Sequence, residues 1–270
     1  MTYPQIVRVL ALTAAVVIFA TVGCASADPT SSSVAGDESK NEAPESLRSP
    51  QSSEKPPAEQ ASPEANYRLP AQTPGRATAV NRIDTKDRVV FLTIDDGGHE
   101  ESPTAQILQE KKVPVTSFLT TEFVDHDPEF YGQIAEVDGQ IIQNHTVTHP
   151  ELPFLSYNSQ RQQICEASRT LRSWYGAKPW MMRPPYGEYN DDTAAAAAKC
   201  GVDYLVLWSV NMPEGGKGTF LYSQNQRFVP GDIILVHWRP NLHQDLLRGL
   251  RDIKRQGFRV AALQDYLPRR

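Results

Sequence analysis

Past Arg82 the chain alternates short β-branched runs with segments of helical periodicity, and this limits the fold more than any other feature. The run from Arg88 to Ile94 leads straight into Asp95-Asp96-Gly97-Gly98. Further runs cover Val115–Leu119, 140–143, 204–208, 233–236 and 258–261. Repeated β-then-α units imply a parallel sheet with helices outside it. Their number, near seven, favours a barrel over a doubly wound sheet.

Capping chemistry sets the expected helix limits. Ser102-Pro103 reads as an N-cap followed by Pro, opening a helix to Lys112. Asp127-Pro128 repeats the signal for a helix to about Val137. Ser159 with Gln162 resembles a capping box, and Ile164, Ala167, Leu171 and Trp174 make one face before Gly176 stops the helix. An Ala-rich helix runs from Asp191 to Cys200 before Gly201, and Asn241 is the expected cap of a last helix reaching Gln256.

Ahead of these units stand two segments of different character. Residues 1–27 read as an export signal: Arg8 precedes an apolar run, 9–22, too short for easy spanning of a bilayer. Thr21-Val22-Gly23-Cys24 resembles a lipobox, so the expectation is a cell-surface lipoprotein anchored at Cys24. The alternative is a secreted protein cleaved near Ala25-Ser26-Ala27. Residues 28–80 read as a disordered linker rich in Ser, Pro and Glu, because so few apolar groups cannot offset chain entropy. Between Asp28 and Asn66 lie eight acidic and three basic residues, equal to the whole chain's net charge of −5. The remaining domain is 81–270; with Arg8 contributing +1, the chain from Tyr67 onward carries only −1 and offers no basic field for nucleic acid. Membrane contact is expected only through the lipid. With Cys24 lipidated, Cys165 and Cys200 form an even pair in an exported domain, and a disulfide is expected.

The chemistry-bearing residues fall at strand ends, where α/β folds build their sites. His145 and His149, four apart, can share one face of a helix or a tight loop, and neutral imidazole is a good zinc ligand. They are not the zinc-protease pair, since Thr146 stands where that motif needs Glu. Asp95 and Asp96 are costly to bury without partners. Side chains of strand neighbours point to opposite faces, so the two carboxylates are expected to play different roles. The stretch 215–219 lacks the spacing of a phosphate loop, and no Gly-x-Ser-x-Gly elbow supports a serine hydrolase.

Four segments together resemble, in order, the motifs of polysaccharide deacetylases, the NodB homology domain of carbohydrate esterase family four. They are Thr93-Ile94-Asp95-Asp96-Gly97, His145-Thr146-Val147-Thr148-His149, Arg183-Pro184-Pro185-Tyr186-Gly187 and Leu235-Val236-His237. The resemblance spans roughly residues 88–267 and implies a distorted parallel (β/α)7-type barrel. It implies that Asp96, His145 and His149 hold a divalent metal, with zinc the expected ion. Asp95 would be the general base, held by Arg183. Tyr186 would lend its backbone N–H to an oxyanion, and His237 would be the general acid. Leu235 and Trp208 would wall an acetyl pocket, ordinary core packing being the alternative for both.

The sequence departs from the family at two places. Asn211 stands where the family's fourth motif has Asp, and the Asp-Trp pair that follows there is absent. An Asn can orient His237 but brings no charge. Gly98-His99 stands where the family often has Pro after the first glycine, and His99 reads as a solvent-facing loop residue. The resulting expectation is a metal-dependent N-deacetylase of glycans, peptidoglycan or chitin-like. The rivals are an O-deacetylase using the same site and a degenerate domain that binds glycan without turnover.

Overall fold

The computed structural model describes residues 66–215, 219–223 and 226–270. The expected signal, Cys24 and the linker up to residue 65 lie outside the described residues, as do 216–218 of the rejected phosphate loop. In chain order the first strands are β1 (Tyr67–Arg68), β2 (Thr78–Val80), β3 (Asp84–Thr85) and β4 (Val89–Asp96). Then follow α1 (Ser102–Glu110), β5 (Val115–Leu119), α2 (Thr121–Val124), α3 (Pro128–Ala135) and β6 (Gln140–Asn144). The middle of the chain forms α4 (Tyr157–Tyr175), β7 (Met181–Met182), α5 (Asp191–Lys199) and β8 (Tyr204–Val206). β9 (Val210–Asn211), β10 (Leu221–Tyr222), β11 (Asp232–His237), α6 (Leu242–Arg255) and β12 (Arg259–Val260) complete it.

The main sheet runs β10-β9-β11-β4-β5-β6-β7-β8-β2, with β12 beside the start of β4. Every pairing in it is parallel except β10 with β9. It curls into the expected distorted barrel. Its ends approach where Arg82, just past β2, bridges Asp232 at the start of β11 and donates to its carboxylate at 2.8 Å.

Alternation along the strands sorts their side chains. In β4, Val90, Leu92 and Ile94 pack outward with Leu108, Val124, Leu246 and Ile253 of the helices. Val89 and Phe91 belong to a separate inner cluster with Phe118, Met181, Val206 and Ile233. Period-two geometry puts Thr93 and Asp95 on that inner side, and Leu235 and His237 likewise in β11. The interior therefore turns from apolar to polar toward the carboxyl ends of the strands. The outer layer is built by stripes such as Leu242, Leu246, Gly249 and Ile253 on α6, all buried.

Several expected limits shift, for tertiary reasons. The N-cap of α1 is Glu101, not Ser102, and its carboxylate accepts from the Thr104 hydroxyl. The same carboxylate accepts from the backbone N–H groups of Asn241 (2.6 Å) and His243 (3.2 Å). Asn241 itself, left-handed at φ +61°, makes no side-chain cap. Helix α4 starts at Tyr157, capped by Ser156 accepting from Ser159 N–H, so the expected cap Ser159 lies inside the first turn. The strand expected over 204–208 ends at Val206, and the one expected over 258–261 is Arg259–Val260. Residues 66–80, assigned to the linker, contain β1 and β2; Ala77 and Val80 are buried where β2 pairs with β8. Three residues are too few to show a strand period, so only the partner strand reveals β2. The expected disulfide joins Cys165 of α4 to Cys200 at the end of α5.

Candidate active site

β4, β6, β7 and β11 bring their carboxyl ends together, and with them Asp95, Asp96, His145, His149, Arg183 and His237. Strict alternation would carry Asp96 away from Asp95, but Asp96 leaves the strand at φ +76°. Both carboxylates consequently face His145: its Nε2 lies 3.4 Å from Asp96 Oδ1 and 3.8 Å from Asp95 Oδ2. His149 Nε2 is also 3.4 Å from Asp96 Oδ1. The expectation of opposed faces fails here; the two carboxylates share His145, while Arg183 pairs with Asp95 and His149 with Asp96.

Left-handed backbone marks this constellation. Four of the seven non-glycine residues with positive φ among the described residues are Asp96, Thr146, His149 and Tyr186. A β-branched Thr at φ +74° is strained, and such strain persists only where surroundings over-determine it. They do so in the loop 144–149. Asn144 donates to Ile164 O and Ser168 Oγ, both at 2.8 Å, and its Oδ1 accepts from Thr146 N–H at 2.7 Å. Gln163 Oε1 accepts from the N–H groups of Val147 and Thr148, and Thr146 Oγ1 accepts from His149 N–H. His145 and His149 thus share a tight loop, not a helix face. Gly97 continues the turn at φ +90°, where a Cβ would fall 2.1 Å from Val124.

Could these residues hold a cation? Asp96 Oδ1 is buried and has no hydrogen-bond partner, a costly state for a carboxylate oxygen unless something positive meets it. Ligand atoms of Asp96, His145 and His149 all lie within 4.8 Å of one another. His145 Nδ1 donates to Arg183 O at 2.7 Å, which leaves the Nε2 lone pair turned toward Asp96. Burial alone would push the Asp96 carboxyl up, but the neighbouring imidazoles of His145, His237 and His149 outweigh it and hold the pKa below the usual value. Burial, aided by His145, lowers the His149 pKa and favours the neutral ring that ligation requires. The donor set fits a divalent metal.

Arg183 is fully buried and fixed on every side. Its Nη1 donates to Asp95 Oδ1 at 2.6 Å and to Thr93 Oγ1 at 2.7 Å. Nε and Nη2 donate to the carbonyls of Val206 and Leu207. Burial lowers its pKa, opposed by Asp95. Phe118 and Trp208 flank the guanidinium, 4.6 and 5.7 Å from ring centroid. Trp208 also backs the Tyr186 turn, since a Cβ on Gly187 would meet it at 2.9 Å. Leu235 is buried on the inner side of β11, two residues before His237.

His237 pairs in register with Asp95. It lines a cleft of about 630 Å³ with Asp96, His99, Phe123, Glu214 and Arg239. His99 is exposed, as expected, yet borders this cleft. Asn211 pairs instead with Leu235, and its Oδ1 is buried without a partner. A larger concavity, about 750 Å³ around Asp87, Pro114 and Gly139, lies at the amino ends of the strands and holds none of the motif residues. The residues missed by the sequence reading are Thr93, Asn144 and Gln163. Thr93 lies inside the first motif and Asn144 directly before the second, and that placement was the available signal. Gln163 left none.

A polysaccharide deacetylase family model matches residues 82–205. A chitooligosaccharide deacetylase of Bradyrhizobium sp. (strain ANU 289) is 33% identical over 56% of this chain and 70% of its own. The chain belongs to the polysaccharide deacetylase family. An uncharacterised Streptomyces coelicolor relative is 36% identical over 73% of this chain and 82% of its own. Among solved structures, a peptidoglycan N-acetylglucosamine deacetylase superposes with a TM-score of 0.60 at 26% identity, covering 71% of this chain and 92% of that one. A family-four pseudoenzyme from Bacillus anthracis shares the fold, with a TM-score of 0.61 at 23% identity over 71% and 69%. Within the deacetylase family pattern, the model match ends before Asn211 and His237.

Proposed function

We propose that the chain is a metal-dependent hydrolase that removes N-acetyl groups from N-acetylglucosamine-containing glycans, peptidoglycan or chitin-like. One observation carries this reading: the unpartnered Asp96 Oδ1, 3.4 Å from two imidazole nitrogens and adjacent to an Asp95 held by a buried arginine. A divalent cation held by Asp96, His145 and His149, zinc being the expected ion, would lower the pKa of a bound water toward about 7 and polarise the acetamide carbonyl.

The chain's own residues supply the remaining chemistry. Asp95 Oδ1 is committed to Arg183, so Oδ2, on the His145 side, is the oxygen that takes the proton from the attacking water. The left-handed turn at Tyr186 offers its backbone N–H to the oxyanion. His237, across the register from Asp95, gives a proton to the departing nitrogen. Water and amide become acetic acid and amine, which at neutral pH leave as acetate and ammonium, and the proton taken up by Asp95 replaces the one given by His237. An O-acetyl ester could use the same groups and needs the acid less.

Acetate release from N-acetylchitooligosaccharides and from O-acetylated xylan tests the reading. The expected result is release from the former, lost with chelator and restored by zinc alone. His149→Ala should lose zinc by elemental analysis together with release. Turnover indifferent to chelator would remove the metal from the mechanism. The second reading, a domain that binds glycan without turnover, is favoured by Asn211 and its unpartnered carbonyl; binding with no release from any glycan would establish it. Export and anchoring at Cys24 belong to the same proposal on sequence grounds, and the mass of the mature N-terminal peptide tests them.

A further inference from the structure

The loop that carries His145 and His149 is held from outside the site by one turn of α4. Gln163 Oε1 accepts from Val147 and Thr148 N–H at 3.1 and 3.0 Å, and Asn144 donates to Ile164 O and Ser168 Oγ. Cys165 stands inside that turn, directly after Ile164, and its sulfur is joined to Cys200 at the end of α5. A second tie between the two helices lies about a turn earlier, where Thr193 Oγ1 donates to Gln160 Oε1 at 2.5 Å. Along α4 the bridge is therefore the tie nearest the residues that support the loop. Its two sulfurs differ in access. Cys200 is 4% exposed, whereas Cys165 is half-buried and lines an open hollow of about 310 Å³ with Asn158, Arg161, Gln162, Glu166 and Arg169. Arg161 and Arg169 stand one turn before and one turn after Cys165 on the same helix face, and they outnumber Glu166.

We infer that Cys165 is the entry point for thiol–disulfide exchange and that the state of this bridge sets how tightly the loop holds a divalent cation. Thr146 and His149 are left-handed, and such backbone persists only while its supports hold. With α4 fastened to α5, Gln163 and Ile164 stay in reach of the loop, and both imidazoles keep their aim at Asp96. Opening the bridge needs a dithiol as reductant. Its thiolate attacks Cys165 Sγ and bonds to it; the Cys165–Cys200 bond breaks, and the electron pair leaves on Cys200 Sγ, which takes a proton from water. The reductant's second thiol, losing its proton, then closes on the bound sulfur and releases Cys165, which takes a proton in turn. Two electrons and two protons pass to the protein, and the dithiol leaves as its own disulfide. The positive hollow favours the attacking thiolate. Once the turn is free of α5 the loop relaxes, fewer molecules hold the two rings in place, and the apparent affinity falls by that fraction. The inference rests on the metal reading proposed above.

The readout is the zinc affinity of the full chain, measured by competition with a chromophoric chelator at a temperature where every variant is folded. Wild type is compared in its oxidised form and after reduction with dithiothreitol and removal of the reductant, free thiols in both samples being capped with N-ethylmaleimide. Opening the bridge should weaken zinc binding about tenfold, the low end of what losing a group behind a metal ligand costs. Cys165→Ser combined with Cys200→Ser should do the same. Gln163→Leu should weaken binding by about as much, while Gln163→Glu, which keeps an acceptor for both N–H groups, should hold the wild-type value. Reduction should matter less in Gln163→Leu than in wild type, because the two act through one support. Ile253→Ala, in the core under α6, should lower stability and leave zinc affinity unchanged. Glutathione, a single thiol, should be trapped on Cys165 and not on Cys200, read from peptide masses. Equal affinity in the oxidised, reduced and Ser-substituted proteins would overturn the inference, as would a loss matched by Ile253→Ala or glutathione on Cys200. An oxidised wild type that binds no zinc would remove the metal reading itself, and this inference with it.

Discussion

The two sides of the site are built to different standards. On the side of β4 to β7, Asp95, His145 and Arg183 are almost wholly buried, and bonds of 2.6 to 2.9 Å tie Arg183, Asn144 and their partners together. On the side of β9 to β11, His237 faces an open cleft, and Asn211 Oδ1, Trp238 Nε1 and Arg239 Nη1 are buried without partners. A loop that is to hold a cation must keep several ligands in fixed geometry, and the supports of the loop 144–149 are paired, with Asp96 Oδ1 the one site atom on this side, among the described residues, left buried without a partner. In the proposed function the opposite wall meets a substrate that comes and goes, and Asn211, which the resemblance sets in place of an Asp, stands there.

The largest effect should come from breaking the paired side. Arg183→Ala leaves the Asp95 carboxylate buried and unpaired, at an expected cost of about 3–5 kcal/mol in urea unfolding. A loss below about 1 kcal/mol would mean that the pair does not organise this side.

Next is the disulfide, which fastens α4 and α5 behind β7. Replacing Cys165 and Cys200 by Ser should cost about 3–4 kcal/mol in the chain-entropy model for a loop of this length, read from thermal and urea unfolding.

The same substitution made on both sides sharpens the contrast. Asn144→Leu strands three bonding partners and should destabilise by about 2–4 kcal/mol, whereas Asn211→Leu removes an unsatisfied oxygen and should fall within about 1 kcal/mol of wild type, on either side. Equal losses would show that Asn211 has a partner of comparable weight and that the two walls are alike.

The smallest effect concerns the joint between them. Glu101 stands at the N-cap position of α1, and its carboxylate accepts from Asn241 and His243 at the start of α6. Burial raises its pKa, but these hydrogen bonds, with that from Thr104, outweigh it and leave the folded value below the usual one. A depressed carboxyl pKa stabilises the fold above the unfolded value and loses that contribution as pH falls through the folded one. Glu101→Gln should therefore cost about 1 kcal/mol near neutral pH, with the two proteins converging as pH drops below about 4. A difference that persists in acid would assign the role to shape, not charge.

The sequence alone determined the order of elements, the polar residues at strand ends and the Cys165–Cys200 pair, because strand period, helix caps and cysteine parity are local or countable. It placed Asp95, Asp96, His145, His149, Arg183 and His237 at one rim for the same reason. Tertiary structure decided the rest. β2 is a strand only because β8 is there to pair with it, and the Glu101 carboxylate, at the N-cap position of α1, is taken by N–H groups at the start of α6. Asp96 joins Asp95 on one side only because the turn at Gly97, packed on Val124, admits a left-handed backbone that strand alternation does not foresee. Packing chooses among conformations whose local energies differ by little, and a pattern read along the chain holds no record of that choice.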